Sequence, residues 1–350
     1  MTGTFSSDLS AKPVRRTYAG VDVFKFFFAV CIVALHTDAL DFLPYNTFYM
    51  ITKIVFRAAV PYFFVASGFF LGRKLLAAPG EQYARIIRAY CLRLLKPLIF
   101  FEIISLVYHG FVFLYTGKGL VYTVLNLVRS ILFYPYGALW YVQACIVGAL
   151  LLYPFLKRDR LKLAVVIGIP LYGFALIANN YSFLIRETPL QDLVALYLKC
   201  CDSARNGLFT GFLFLALGIL CSKVHHSTSG KIHPGLLLLS FALYLAEIRF
   251  IYAVNPSPLD DGALYISHLF FIPALFLATL RLDLPVSAKT AELFRNLSTG
   301  VYFLHRPVLY LSGYVISAGW LNFLIVLGCS VVICLVSYKT RLKPLYTLLR

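Results

Sequence analysis

Apolar residues in this chain come in long runs broken by short polar clusters. Runs long enough to cross ~30 Å of hydrocarbon fall at about 21–40, 49–72, 97–116, 138–156, 162–179, 206–222, 234–254, 263–280, 300–318 and 320–338. The breaks carry Pro, Gly or charge, as in Ala78-Pro79-Gly80, Lys157-Arg158-Asp159-Arg160, Ser227 to Gly230, Asn255 to Gly262 and Ser317 to Trp320. Two stretches have a mixed pattern instead. Glu81 to Lys96 sets Arg85, Arg88 and Arg93 among Ile86, Ile87, Leu92 and Leu94, as expected of a helix lying on the inner surface, and 120–133 has the same character outside. The pattern predicts an all-α, polytopic transmembrane bundle of about ten spans: a segment at 1–20, the membrane domain at 21–340 and a basic tail at 341–350.

Composition sharpens this picture. A chain with 60% hydrophobic and only 13% charged residues cannot clothe a water-soluble surface, so the bilayer is its expected solvent. The formal charge of +17 is no sign of nucleic acid, because the basic residues sit in short loops between apolar runs and are not gathered on one soluble face. With the amino terminus inside, cytoplasmic segments hold 22 Lys and Arg against 5 in external loops, which orients both termini to the cytoplasm of a plasma membrane. The first twenty residues, with Asp8, Lys12, Pro13, Arg15 and Arg16, lack the apolar core of a cleavable signal, so the first helix is expected to stay as an anchor. Eight Cys lie scattered without zinc-site spacing, and only the adjacent Cys200 and Cys201 suggest a redox test. No metal is expected, nor any permanently bound cofactor. No Gly-rich phosphate loop, repeat or sizeable soluble domain is evident, so any activity must be housed in the bundle.

The informative residues are those a membrane should reject, since an ionisable group inside a span costs at least ~2.5–3.5 kcal/mol on the insertion scale. On the first helix Asp22, Lys25 and His36 share one face; Lys25 and His36 lie ~16 Å apart along it, with His36 ~22 Å beyond Val21. Asp22 and Lys25 read equally as an interfacial i,i+3 pair, and His36 as a side chain reaching for the outer surface. Lys53 and Arg57 open the second span on one face, ahead of Pro61, which is expected to kink it; a guanidinium beside a kink makes a good anion clamp. Ser67 and Gly68 suit close helix packing, Glu102 and His109 an interhelical hydrogen bond. Glu247 and Arg249, ~200° apart on a helix, cannot both face one pocket, and His305-Arg306-Pro307 is expected near the cytoplasmic side of the ninth span.

Four segments, in order, resemble the acyltransferase 3 family of integral membrane acyltransferases: Gly20-Val21-Asp22-Val23-Phe24-Lys25 through His36, Val60 to Phe69, Leu139-Trp140-Tyr141, and Gly300-Val301-Tyr302-Phe303-Leu304-His305. Ala204-Arg205-Asn206-Gly207-Leu208-Phe209 resembles a segment of the family's Gram-positive branch, which includes the membrane halves of membrane-bound serine racemases from vancomycin-resistance clusters. The resemblance runs from about 18 to 340. It implies transfer of an acyl group, usually acetyl, from cytoplasmic acyl-coenzyme A, a donor co-substrate, to a hydroxyl of a cell-envelope glycan or a related small acceptor. In the family, a basic residue followed eleven positions later by a histidine is tied to activity. Lys25 and His36 match that spacing, with lysine in place of the usual arginine: the charge is kept and the bidentate fork is lost.

A hydroxyl attacking a thioester needs a base near neutral pH, the work to which histidine is suited. His36 is the expected base, oriented by Asp38 or another carboxylate, while Lys25, Arg57, His305 and Arg306 would contact the donor or the developing oxyanion. Asp22, Ser67, Trp140, Tyr141, Asn206, Glu247 and Tyr302 complete the expected pocket. The rival reading is a transporter of a small polar solute such as serine, without acyl transfer; a membrane sensor or scaffold is a weaker third. Since the chain ends at Arg350, just after a basic segment, no racemase domain is expected on it and racemisation is not expected.

Overall fold

The computed structural model describes residues 18–228, 233–255, 261–341 and 345–348. The Ser227 to Gly230 break, the Asn255 to Gly262 break, the amino-terminal segment and the basic tail therefore fall partly outside the described residues. Helices α1 (Ala19–His36), α2 (Tyr45–Ile54), α3 (Ala59–Leu76), α4 (Tyr83–Tyr115), α5 (Leu120–Leu132), α6 (Trp140–Lys157) and α7 (Leu161–Ile177) form the first half. They are followed by α8 (Pro189–Cys201), α9 (Phe212–Thr228), α10 (Pro234–Val254), α11 (His268–Thr279), α12 (Ala288–Ser312), α13 (Trp320–Thr340) and the short α14 (Leu345–Leu348). The molecule is an all-α polytopic membrane bundle, and no strand occurs among the described residues. Each of the ten marked runs contains helix. Among the described residues seven helical stretches are long and apolar enough to cross a membrane, while α7 and α11 are shorter apolar helices. Helical hydrogen bonding satisfies the backbone within each segment, as hydrocarbon demands.

The α3 and α9 stretches lie at the centre, with 67% of their most apolar windows buried against 22% in α4 and α10. Small residues bring the central pair together. A side chain at Gly68 or Gly72 of α3 would strike the α9 backbone or side chains at Leu215, Ile219 and Ser222, and one at Gly218 would strike the Val65 carbonyl. The packing role expected of Gly68 is thus its observed one. At the rim, α4 leaves Ile99, Ile103, Val107 and Phe111 exposed, spaced four apart in one outward stripe.

Four boundaries depart from the sequence reading. The amphipathic stretch at 81–96 and the run at 97–116 are one 33-residue helix, α4, with Pro97 inside it. At ~1.5 Å per residue it is longer than the hydrocarbon is thick, so its basic amino-terminal half extends beyond the apolar layer rather than forming a separate surface helix. Pro61 does not kink a continuous span: it lies in the first turn of α3, where a missing N–H costs nothing, and the chain breaks earlier, at Val55 and the 3₁₀ turn Phe56–Ala58. The run at 300–318 begins at Ala288, because Lys289, Glu292 and Arg295 enter the helix as its first turns.

The run at 263–280 is helical only from His268. Ahead of it, residues 261–267 are irregular and enter the bundle, held by side chains. Asn179 Oδ1 accepts from the Ala263 and Leu264 amides at 2.8 and 3.1 Å, Asn180 Nδ2 donates to the Leu264 carbonyl at 2.7 Å, and Tyr172 Oη donates to the Tyr265 carbonyl at 2.9 Å. Glu247 accepts from the Ile266 and Ser267 amides at 2.6 and 2.7 Å, capping α11, and also from the Tyr181 hydroxyl. Irregular backbone at this depth survives because protein, not lipid, surrounds it.

Candidate active site

Helices α1 and α12 run side by side in the same direction. Near their starts Asp22, buried, accepts from Arg295 through both oxygens, at 3.0 Å from Nε and 2.8 Å from Nη2. This fork-to-fork contact corrects the expected Asp22 and Lys25 pair: Arg295 reaches the carboxylate bidentately, which lysine cannot do. Lys25 is half-buried one turn further on, with Asp22, Arg295 and Arg93 as the charged groups around it.

At the far end of the same two helices the rings of His36 and His305 stack, 5.4 Å between centroids and 19° between planes. This overturns the cytoplasmic placement of His305 and Arg306. Since α12 starts at Ala288 beside the start of α1, residue 305 lies deep along it, level with His36. Asp38, by contrast, is exposed in the turn after α1 with φ +52°, and no hydrogen bond joins it to His36, so the structure does not supply the orienting carboxylate expected there. A left-handed turn points the chain away from the helix end as soon as α1 stops.

Basic groups surround the histidine pair; those facing His36 are Arg306, His305, Arg57 and Arg205. Arg306 lies across Gly137, whose φ of +67° and lack of a side chain make room: a Cβ there would come within 2.6 Å of Arg306 Nε. Its guanidinium sits 5.4 Å from the centre of the Tyr310 ring and forms no ion pair among the described residues. Tyr302 donates to the Ala138 carbonyl and so ties α12 to this same turn. Arg57 and Arg205 both reach Asp261 Oδ2, at 2.6 and 2.9 Å, and Lys53 Nζ donates to the Asp261 and Gly262 carbonyls at 2.9 and 2.8 Å. Burial alone would raise the Asp261 carboxyl, but Arg205, Arg57 and Lys53 outweigh it and hold it down to about 2.

The other expected pocket residues divide. Trp140, stacked on Tyr134, carries Arg205 with its guanidinium 5.2 Å from the ring centre, so it belongs to the site as a platform. Tyr141 donates to the Phe63 carbonyl at 3.1 Å, and Ser67 pairs with Tyr90 at 2.7 Å; both lie in the packed interior between α3, α4 and α6. Asn206 is taken up by local structure, accepting from the Leu208 and Phe209 amides at 3.0 and 3.1 Å to cap the turn before α9. Glu247 is likewise committed to α11, and Arg249 is exposed, as the angle between them required of one or the other. Glu102 accepts from the Ser130 hydroxyl of α5, the interhelical bond expected of it. All eight cysteines are free thiols, and no cluster able to hold a metal occurs among the described residues.

The sequence reading missed two features. Asp261 stood among the residues of a break, and its partners Arg57 and Arg205 lie far from it along the chain. At the opposite end of the bundle a cavity of about 330 Å³ is lined by Tyr18, Arg73, Leu76, Ala77, Ser222, His225 and His226. Arg73 there donates to the Tyr18 hydroxyl at 2.6 Å. By sequence Arg73 reads only as one of the basic residues that set topology.

Comparison with known proteins agrees with this architecture. The chain is 29% identical over 291 residues to a serine/alanine racemase of Enterococcus gallinarum, covering 82% of this chain and 40% of that protein. It is 27% identical over 342 residues to an amino-acid racemase of Enterococcus faecalis, covering 93% and 47%. The chain thus spans less than half the length of these curated relatives. No solved structure matches it. The family model described as an acyltransferase domain matches residues 18–339, nearly the whole membrane bundle, and the chain therefore belongs to the acyltransferase 3 family of membrane proteins.

Proposed function

We propose that this protein is an O-acyltransferase that takes an acyl group, acetyl in the first instance, from acyl-coenzyme A on the cytoplasmic side of the plasma membrane. The acceptor is a hydroxyl of a cell-envelope glycan or a related molecule on the other side. Ten crossings with both termini inside give this arrangement its sidedness. The observation that carries the reading is His36 at the end of α1, stacked on His305 and faced by Arg306, Arg57 and Arg205. A base set among cations suits acyl transfer, in which a proton leaves the nucleophile while negative charge grows on the thioester oxygen.

The reaction balances within this set. The acceptor O–H proton passes to His36, the oxygen bonds the thioester carbon, the C–S bond breaks, and the coenzyme A thiolate takes the proton back. Arg306, paired with no carboxylate among the described residues, is the residue to stabilise the oxyanion. This revises the donor-binding role expected of Arg57, His305 and Arg306, which lie at the far end of α1 from its start. The donor's phosphates are instead assigned to the cytoplasmic half, where Arg295 and Arg93 lie near Lys25 and Arg73 lines the cavity.

Purified protein in lipid is expected to move label from acetyl-coenzyme A to cell-envelope material, and His36→Ala to lower the rate at least ~100-fold. An unchanged rate in that variant would remove His36 as the base. The relatives named as serine/alanine and amino-acid racemases favour one second reading, a carrier for a small amino acid such as serine. Serine uptake into proteoliposomes without any acyl donor would select it.

A further inference from the structure

His305 is fully buried, and its ring is fixed from below. Nδ1 lies 2.7 Å from the Tyr302 carbonyl and 3.2 Å from that of Val301. Carbonyl oxygens only accept, so Nδ1 carries the proton and Nε2 of the neutral ring bears the lone pair. That nitrogen is buried and has no hydrogen-bond partner among the described residues. Buried acceptors without partners are rare and costly, and each asks for an explanation.

The neighbour that supplies one is His36. It lies flat against His305, it is half-buried, and Asp38 is turned away from it. A histidine that acts as a base needs a group behind it to fix its tautomer and its plane. The cations around His36 are Arg306, Arg57 and Arg205, which only donate, and the Asp261 carboxylate among them is engaged by Arg57 and Arg205. The lone pair of His305 has the chemistry the position lacks.

We propose that His305 is the positioning residue of His36, its Nε2 accepting the N–H on the far side of the His36 ring while the near nitrogen takes the acceptor's proton. The inference rests on the acyltransferase reading with His36 as base. It requires the His36 ring to turn about χ2 from the stacked to an edge-on pose, a soft torsion for histidine. Bonds and protons balance: the hydroxyl proton moves to the near nitrogen of His36 and from there to the coenzyme A thiolate, while His305 keeps its Nδ1 proton and makes and releases one hydrogen bond.

Two amide substitutions separate this role from a packing role. In His305→Gln the amide reaches the place of Nε2 and offers an acceptor there; in His305→Asn it reaches the place of Nδ1 and keeps the bond to the backbone. With acetyl-coenzyme A and cell-envelope material as substrates, His305→Asn is expected to lose about 100-fold in kcat with KM unchanged, and His305→Gln to stay within ~10-fold of wild type. The reverse order, with His305→Asn near wild type, would overturn the proposal. ¹⁵N spectra of histidine-labelled wild-type protein in lipid give a readout independent of turnover. The His305 signal, assigned by its loss in His305→Gln or in His305→Asn, is expected to show a protonated Nδ1, and a protonated Nε2 would sink the proposal. If wild type transfers no label, the acyltransferase reading falls and this inference with it; if wild type transfers and His305→Asn matches it, this inference alone falls.

Discussion

Asp261 shows how much one side chain can organise. Its Oδ2 meets Arg57 and Arg205, and its carbonyl accepts from Lys53, so one residue draws three cations to the wall of the site. A carboxyl held down to about 2 binds its proton more weakly folded than unfolded, where ~3.9 is usual. Its contribution to stability is therefore full above about pH 4 and is lost as the pH falls through about 2. Asp261→Asn is expected to lower stability at pH 7 by ~1–3 kcal/mol and to flatten this acid dependence, as thermal unfolding in lipid nanodiscs between pH 7 and pH 2 would report. Arg306→Ala, in contrast, removes a cation that no carboxylate holds among the described residues. It is expected to leave the unfolding midpoint near wild type and to cut kcat ~100-fold, the size of a lost oxyanion donor. A matching fall in both quantities would assign Arg306 to the fold instead.

At the scale of elements, the helices follow from the apolar runs and the breaks between them: each marked run contains helix, and the run at 49–72 contains two, α2 and α3. Length alone could not tell where a run stops being helical. Residues 263–267 read as the start of a span, yet Asn179, Asn180 and Tyr172 capture their amides and carbonyls from a distance, and Glu247 caps the helix that follows. The reverse error occurred at α12, where Lys289 and Arg295 looked like loop charges and proved to be helical because Asp22 receives Arg295. The site was legible as far as its spacing along α1: Lys25 and His36 were visible as one stripe, and His305 was recognised but placed at the wrong end. Its pairing with His36 depends on the register of α12 against α1, which no local pattern encodes. Packing of α3 on α9 makes a separate prediction. Gly218→Val drives a branched side chain into the Val65 carbonyl and is expected to abolish folded protein, judged by size-exclusion profile. A monodisperse variant with an unchanged midpoint would mean the two helices can move apart.

For the whole molecule the question is sidedness. Basic loops favour a cytoplasmic amino terminus, and four of the cations that escape that rule, Lys53, Arg57, Arg205 and Arg306, gather at the opposite end of α1 around the histidine pair. Cys200, exposed at the end of α8, should then react with a membrane-impermeant maleimide in intact cells. Protection of Cys200 until the cells are opened would invert the topology. The most direct test of the central claim uses proteoliposomes of one orientation, with labelled acetyl-coenzyme A supplied only to the face bearing Arg73 and the Lys157-to-Lys162 loop, and a hydroxyl-bearing envelope acceptor only to the other face. The label is expected to appear on the acceptor with wild-type protein and to be lost with His36→Ala. Failure of label to cross with wild-type protein, or equal transfer by the variant, would contradict the account.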